Sequence, residues 1–241
     1  MNRYLKYEFV RAVTIKSTFI FPLVGIALSW VLAYFGLHDF ATVAYDENGN
    51  SVPSLVNAIN NSYSPLSIFF ITIPFAQAFG HDYRDGTMRL TLSAFPIRIK
   101  VFFAKLVIPT AVAALMTAIS LVGIWVIYRL FIPSPDISNA LQTMGRHIGF
   151  TIFWGLLVAS VVIFTRIMAA GIAGIVVWAA ILEGLLGVVL ARRFPKLPDY
   201  LPISQGMAWA GEGKTRDLIV IATATVLMVG LAGIKFLKRD A

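Results

Sequence analysis

Six apolar stretches, most of them close to the length of a membrane-crossing helix, limit what this chain can fold into more than any other feature. They run at about 18–37, 66–79, 101–128, 148–164, 167–190 and 218–237. A bilayer's hydrocarbon core is crossed by about 20 consecutive apolar residues in a helix. The second stretch is shorter and carries Pro65 and Pro74, and residues upstream from Ser54 can extend it. Hydrophobic residues make up 58% of the 241 positions and charged residues only 13%, against about 45–50% and about 25% in ordinary soluble domains. A soluble globule has no interior large enough to hide that surface. The expectation is one all-α, polytopic membrane domain spanning 1–241, with six transmembrane helices. The absence of cysteine excludes disulfides, thiolate metal sites and thiol nucleophiles.

The chain carries a formal net charge of +8. The positions of the basic residues give that excess its meaning. Arg3, Lys6, Arg11 and Lys16 precede the first stretch, and the connection at 38–61 holds no Lys or Arg, only Asp39, Asp46 and Glu47. Arg84, Arg89, Arg98, Lys100 and Lys105 follow the second stretch, Arg129 and Arg146 flank the next connection, and Arg166 occupies the turn after the fourth. With both termini inside, thirteen of the 20 Lys and Arg fall on the inner side, as the positive-inside rule requires. The connection at 191–217, with five basic residues, runs against this bias. Basic residues confined to span ends speak for membrane lipids as partners and against nucleic acid. The expected location is the cell (inner) membrane, multi-pass, with cytoplasmic termini. The leader alternates Leu5, Phe9 and Val13 with Arg3, Lys6 and Arg11, the stripe of an amphipathic interfacial helix. Its alternative is a plain topogenic flank.

The richest polar segment lies at 79–105. Asp85 is placed to cap a helix, Gly86 allows a tight turn, and Thr87 opens a short helix ending near Phe95. Met88, Leu92 and Phe95 share one face and Arg89 points away, while Pro96 stops the helix. Arg98, Lys100 and Lys105 then stud the start of the third span. A compact helix between two spans suits protein docking. The same residues also describe an ordinary basic inner loop.

This segment resembles the cytoplasmic signature of the ABC-2 type transporter permeases. That signature has an acidic residue four positions before a Gly-Thr pair, then leucines, a proline, an arginine and a lysine. The matching positions here are Asp82, Gly86 and Thr87, Leu90 and Leu92, Pro96, Arg98 and Lys105. The family usually has Glu where this chain has Asp82. The resemblance implies a cytoplasmic coupling helix between spans 2 and 3, with Asp82, Arg84, Asp85, Gly86, Thr87, Arg89, Leu92, Pro96 and Arg98 contacting an ATPase subunit. It implies two copies of that ATPase and a second permease half, usually a copy of the same chain. The permease itself is then not an enzyme and holds no cofactor, with ATP and Mg2+ on the partner. The implied function is export of a drug, antimicrobial peptide or other amphipathic substrate. The alternatives are an ATP-independent transporter or channel, and a membrane immunity or assembly factor that only binds.

Three further features complete the reading. Glu183 sits in the outer part of the fifth stretch, where an unpaired carboxylate is costly. It either lines the substrate pathway or hydrogen-bonds between helices. Ala169, Ala170, Ala173 and Gly174 form a small-residue face suited to close helix packing. The stretch Ala208 to Thr215 mimics a phosphate-binding loop but lacks the strand and helix that such a loop needs. The preceding prolines, Pro195, Pro198 and Pro202, with Trp209, suggest short re-entrant or interfacial helices. His38, His81 and His147 lie at span ends without metal-ligand spacing.

Overall fold

Backbone amides inside lipid find partners only within their own helix, and the chain folds accordingly. The structure is a computed structural model that describes residues 2–38, 43–45, 51–132, 139–191, 193 and 196–239. Asp39, Asp46 and Glu47 of the acidic connection, and Arg192 and Pro195 of the last one, lie outside the described residues. The elements are α1 (Asn2–Thr14), α2 (Ser17–His38), β1 (Val43–Tyr45), β2 (Ser51–Pro53), α3 (Leu55–Ser62), α4 (Pro65–Arg84), α5 (Met88–Ala94) and α6 (Arg98–Phe131). They continue with α7 (Ala140–Thr165), α8 (Met168–Val177), a π-helical turn (Trp178–Glu183), α9 (Gly184–Ala191), a 3-10 turn (Leu197–Tyr200), α10 (Pro202–Glu212) and α11 (Thr215–Arg239). The two strands form a small antiparallel ribbon, with Ala44 opposite Val52.

Five helical runs are long and apolar enough to cross a membrane: α2, α6, α7, the α8–α9 run and α11. The second expected span corresponds to α4, which is 20 residues long but too polar to join them. Its composition follows from its position. α4 packs against α2, α6, α7 and α8, so protein encloses most of its length. Ser67, Thr72, Gln77 and Asp82 are all buried along it. Its start is marked by Ser64, whose hydroxyl accepts from the Ser67 amide, followed by Pro65 in the first turn.

The core is aromatic and aliphatic at both ends of the bundle. Phe79 of α4, Phe102 of α6 and Phe236 of α11 meet with ring centroids 5.7–6.1 Å apart. Phe150 and Trp154 pack edge-on within α7. Hydroxyls tie the helices where the core is otherwise apolar, a common device in lipid. Tyr63 Oη lies 2.9 Å from both Thr117 Oγ1 and Thr151 Oγ1. Ser29 bonds Ser120 across α2 and α6. Gly25 sits where a β-carbon would be 2.8 Å from the Ser67 carbonyl oxygen, so the closest approach of α2 to α4 requires glycine there.

The small-residue face expected at 169–174 is not where α7 and α8 touch most closely. Ala169 and Ala173 are exposed. Gly171 makes the close approach, with no room for a side chain against Val162.

Candidate functional site

Four charged side chains from three helices converge at one end of the bundle. Glu8 and Arg11 come from α1, Asp82 from the last turns of α4 and Lys105 from the second turn of α6. Lys105 is 0% exposed, Asp82 3% and Glu8 6%. Lys105 Nζ lies 2.6 Å from Asp82 Oδ2 and 2.8 Å from Glu8 Oε1, and it also donates to the Ala78 carbonyl at 3.2 Å. Arg11 reaches Asp82 Oδ1 at 3.0 Å and Glu8 Oε2 at 3.3 Å, and donates to the same Ala78 carbonyl. Thr87 Oγ1 donates to Asp82 Oδ1 at 2.9 Å. Two carboxylates face two cations, so the cluster is neutral overall. A void of about 30 Å³ lies beside it, lined in part by Glu8, Arg11, Thr18 and Gln77, about the room one water needs.

The structure divides the residues of the expected docking segment into two groups. Asp82 and Thr87 face inward and bind their own chain. Leu92 is buried, as is Met88, and Phe95 packs between Tyr4 and Tyr7 of α1, 4.9 and 5.2 Å away. Arg98 donates to the Leu237 carbonyl at 2.8 Å and so caps the end of α11. Arg84, Asp85 and Arg89 point outward with Leu90, which is 70% exposed. Gly86 takes a positive φ of 67°, the turn its lack of a side chain permits. Asp85 does not cap α5. It follows α4 and pairs with Arg84 at 2.8 Å, whose hydrogen bond holds the Asp85 carboxyl below the ordinary carboxylate range. The first cap position of α5 is Thr87, whose hydroxyl is committed to Asp82. Pro96 lies between α5 and α6 and is exposed.

α1 also presents its faces differently from the stripe that the sequence suggests. Phe9, Val10 and Val13 are exposed, while Glu8 and Arg11 point into the protein. The outward side of α1 thus mixes apolar residues with the exposed Arg3 and Lys6, while Glu8, Arg11 and Tyr4 face the bundle. Glu8 was absent from the expected site. The available signal was an acid three residues before Arg11 in an otherwise basic leader, on a different side from Phe9 and Val13.

Glu183 lies toward the other end of the bundle, in the π-helical turn, and is 1% exposed. Its Oε1 accepts from Trp178 Nε1 at 2.8 Å and from the Ile203 amide at 2.9 Å. Its Oε2 accepts from the Ser204 amide at 2.7 Å and the Ser204 hydroxyl at 2.6 Å. Pro202 begins α10 and has no N–H, so Glu183 takes the first two amides that the helix offers. An anion at a helix N-terminus also meets the positive end of the helix dipole. Of the two readings of this residue, the hydrogen-bonding one describes its contacts, and all four are with its own chain.

Among the described residues, no group of three or more His, Asp or Glu side chains is arranged to hold a metal ion. Comparison with protein-family models and with characterised proteins returns no match.

Proposed function

We propose that this chain is the membrane-spanning permease subunit of an ATP-binding cassette exporter of the ABC-2 type, moving an amphipathic substrate. In this reading α4 is the second of six spans, α1 lies in the inner membrane interface, and both termini are cytoplasmic. Two such chains pair, and each binds one separate ATPase through α5. ATP and Mg2+ act on that partner.

One observation carries the reading. A seven-residue helix stands between α4 and α6, with Arg84, Asp85, Arg89 and Leu90 facing outward, Thr87 at its start bonded to Asp82 of α4 and Phe95 after its end packed on Tyr4 and Tyr7 of α1. In this reading a push on the outer face reaches the Glu8, Arg11, Asp82 and Lys105 cluster through the Thr87–Asp82 hydrogen bond, and α1 through Phe95. The outward aromatic and aliphatic residues of α1 suit a helix lying at a lipid surface.

The test is purification of the tagged chain from its native membrane in mild detergent, followed by native mass spectrometry and ATP hydrolysis measurements. The expected particle contains two copies of this chain and two of an ATPase. A chain that purifies without an ATPase, and whose vesicles show no ATP-dependent transport, overturns the proposal. Pairing is checked by single introduced cysteines, since the native chain has none.

A further inference from the structure

The buried cluster uses Glu8, Arg11, Asp82 and Lys105 in mutual pairs, and the charge left exposed around it is one-sided. Arg3 and Lys6 of α1, Lys16 after it, Arg89 of α5 and Lys238 of α11 are exposed. Among the described residues none of these five forms an ion pair. Asp85, the exposed acid at the turn after α4, is already held by Arg84. The described residues of the chain therefore do not supply the negative charge that would balance this end.

Three cations gather at the start of α1. Arg3 and Lys6 stand one turn apart and both point outward. Lys100, at the start of α6, holds its ammonium 6.0 Å from the centre of the ring of Tyr4, the residue next to Arg3. Phe95 packs on both Tyr4 and Tyr7, so this end of α1 is fixed against the residues that precede α6. Further along the outward face Phe9, Val10 and Val13 are 52–58% exposed, and Ile20 and Leu23 of α2 carry the apolar surface on.

Such a face does not suit bulk water, which would meet three large apolar side chains. It does not suit hydrocarbon, in which two cations would be unpaired. It suits the boundary between them. The unbalanced charge then selects the lipid. A zwitterionic head group brings its own cation, whereas an anionic one offers a phosphate that nothing else neutralises. Each Lys or Arg beside an anionic leaflet contributes about fivefold to affinity.

We propose that the outward face of α1, together with Lys100, is a binding surface for anionic phospholipid. The head-group phosphate sits among Arg3, Lys6 and Lys100, and the acyl chains lie along Phe9, Val10 and Val13. The inference rests on the placement of α1 at the membrane interface and not on pairing, an ATPase or transport.

The test places a bimane fluorophore on a single cysteine, Val10→Cys, in the full-length chain, which has no native cysteine. The protein sits in phosphatidylcholine nanodiscs with a rising fraction of doxyl-labelled phosphatidylglycerol or doxyl-labelled phosphatidylcholine, whose nitroxide quenches bimane on contact. The phosphatidylglycerol is expected to reach half-maximal quenching at about tenfold lower mole fraction. At Leu115→Cys, exposed on α6 and about 22 Å along that helix from Lys100, the two lipids are expected to quench alike. Adding Arg3→Gln, Lys6→Gln and Lys100→Gln to Val10→Cys is expected to move the phosphatidylglycerol curve onto that of phosphatidylcholine. An unchanged phosphatidylcholine curve shows that α1 is still in place in that variant. Adding Arg89→Gln, Arg129→Gln and Lys238→Gln instead removes as many exposed charges and is expected to leave the preference intact. Equal quenching of Val10→Cys by both lipids, or an equal preference at Leu115→Cys, overturns the proposal. So does a preference that survives the Arg3, Lys6 and Lys100 changes or is lost with the Arg89, Arg129 and Lys238 changes. A label at Val10→Cys that neither lipid reaches also overturns it and gives the face to protein, and that outcome alone removes the interfacial placement of α1.

Discussion

Lys105 carries the largest single-residue consequence in this structure. It is fully buried between two carboxylates, and removing one partner of a buried ion pair leaves uncompensated charge behind, at about 3–5 kcal/mol. Lys105→Met is therefore expected to lower stability by about 3–5 kcal/mol, read as a fall in the thermal unfolding midpoint in detergent. Replacing Asp82 by Leu in the same chain removes one of the stranded acids, so the double variant should lose less than the sum of the two single variants. Strict additivity would mean that the two groups do not interact. Glu183 poses a related problem. The Gln substitution keeps one acceptor oxygen but turns an NH2 group toward donors that had been met by carboxylate. Glu183→Gln is expected to cost about 1.5–3 kcal/mol, and a midpoint indistinguishable from the native protein would show that the four contacts to its carboxylate are not maintained.

At the scale of elements, α5 separates binding from folding. Its inner residues Met88 and Leu92 are buried and its Phe95 neighbour packs on α1, whereas Arg89 and Leu90 are exposed. The double change Arg89→Glu and Leu90→Asp is expected to leave the unfolding midpoint within about 0.5 kcal/mol of native, as surface changes usually do. The same variant should lose co-purification of the proposed ATPase. Retained ATPase binding would place the docking surface elsewhere. Asp82→Ala answers a different question, because it breaks the clamp between α1, α4 and α6. A loss of binding in that variant reports on the support of α5 and not on its contact face.

For the whole molecule, α1, the end of α4, the start of α6 and the end of α11 are held together by the Arg11–Asp82 ion pair and by the hydrogen bond from Arg98 to the Leu237 carbonyl. In the proposed six-span arrangement, residues 3 and 238 lie on one side of the bilayer and residue 214 on the other. Single cysteines at Arg3, Lys238 and Lys214 in this cysteine-free background should react with an impermeant maleimide in two classes. In intact cells Lys214→Cys is expected to label and the other two to be shielded. Labelling of Lys214→Cys only after the membrane is opened would reject the arrangement, including the awkwardly basic connection at 191–217.

Apolar run length marked out the spans because lipid leaves a backbone no alternative to the helix. It placed α2, α6, α7, the α8–α9 run and α11, while the short helix after Gly86 was legible from the turn glycine before it and the proline after it. Residue spacing was equally able to say that Met88 and Leu92 share a face. It could not say what lies opposite a face. The stripe of Leu5, Phe9 and Val13 was legible, yet only packing decided that Glu8 and Arg11 turn inward. Asp82 read as a surface contact because its partners, Arg11 and Lys105, are 71 and 23 positions away. Glu183 was read as lining a pathway or hydrogen-bonding between helices, and spacing could not name its partners because the amides it satisfies belong to α10, about 20 residues on. The local pattern records how one helix divides its faces between water, lipid and protein. Which charges are neutralised is decided when distant helices meet, because a buried charge is tolerable only beside its counter-charge or donors.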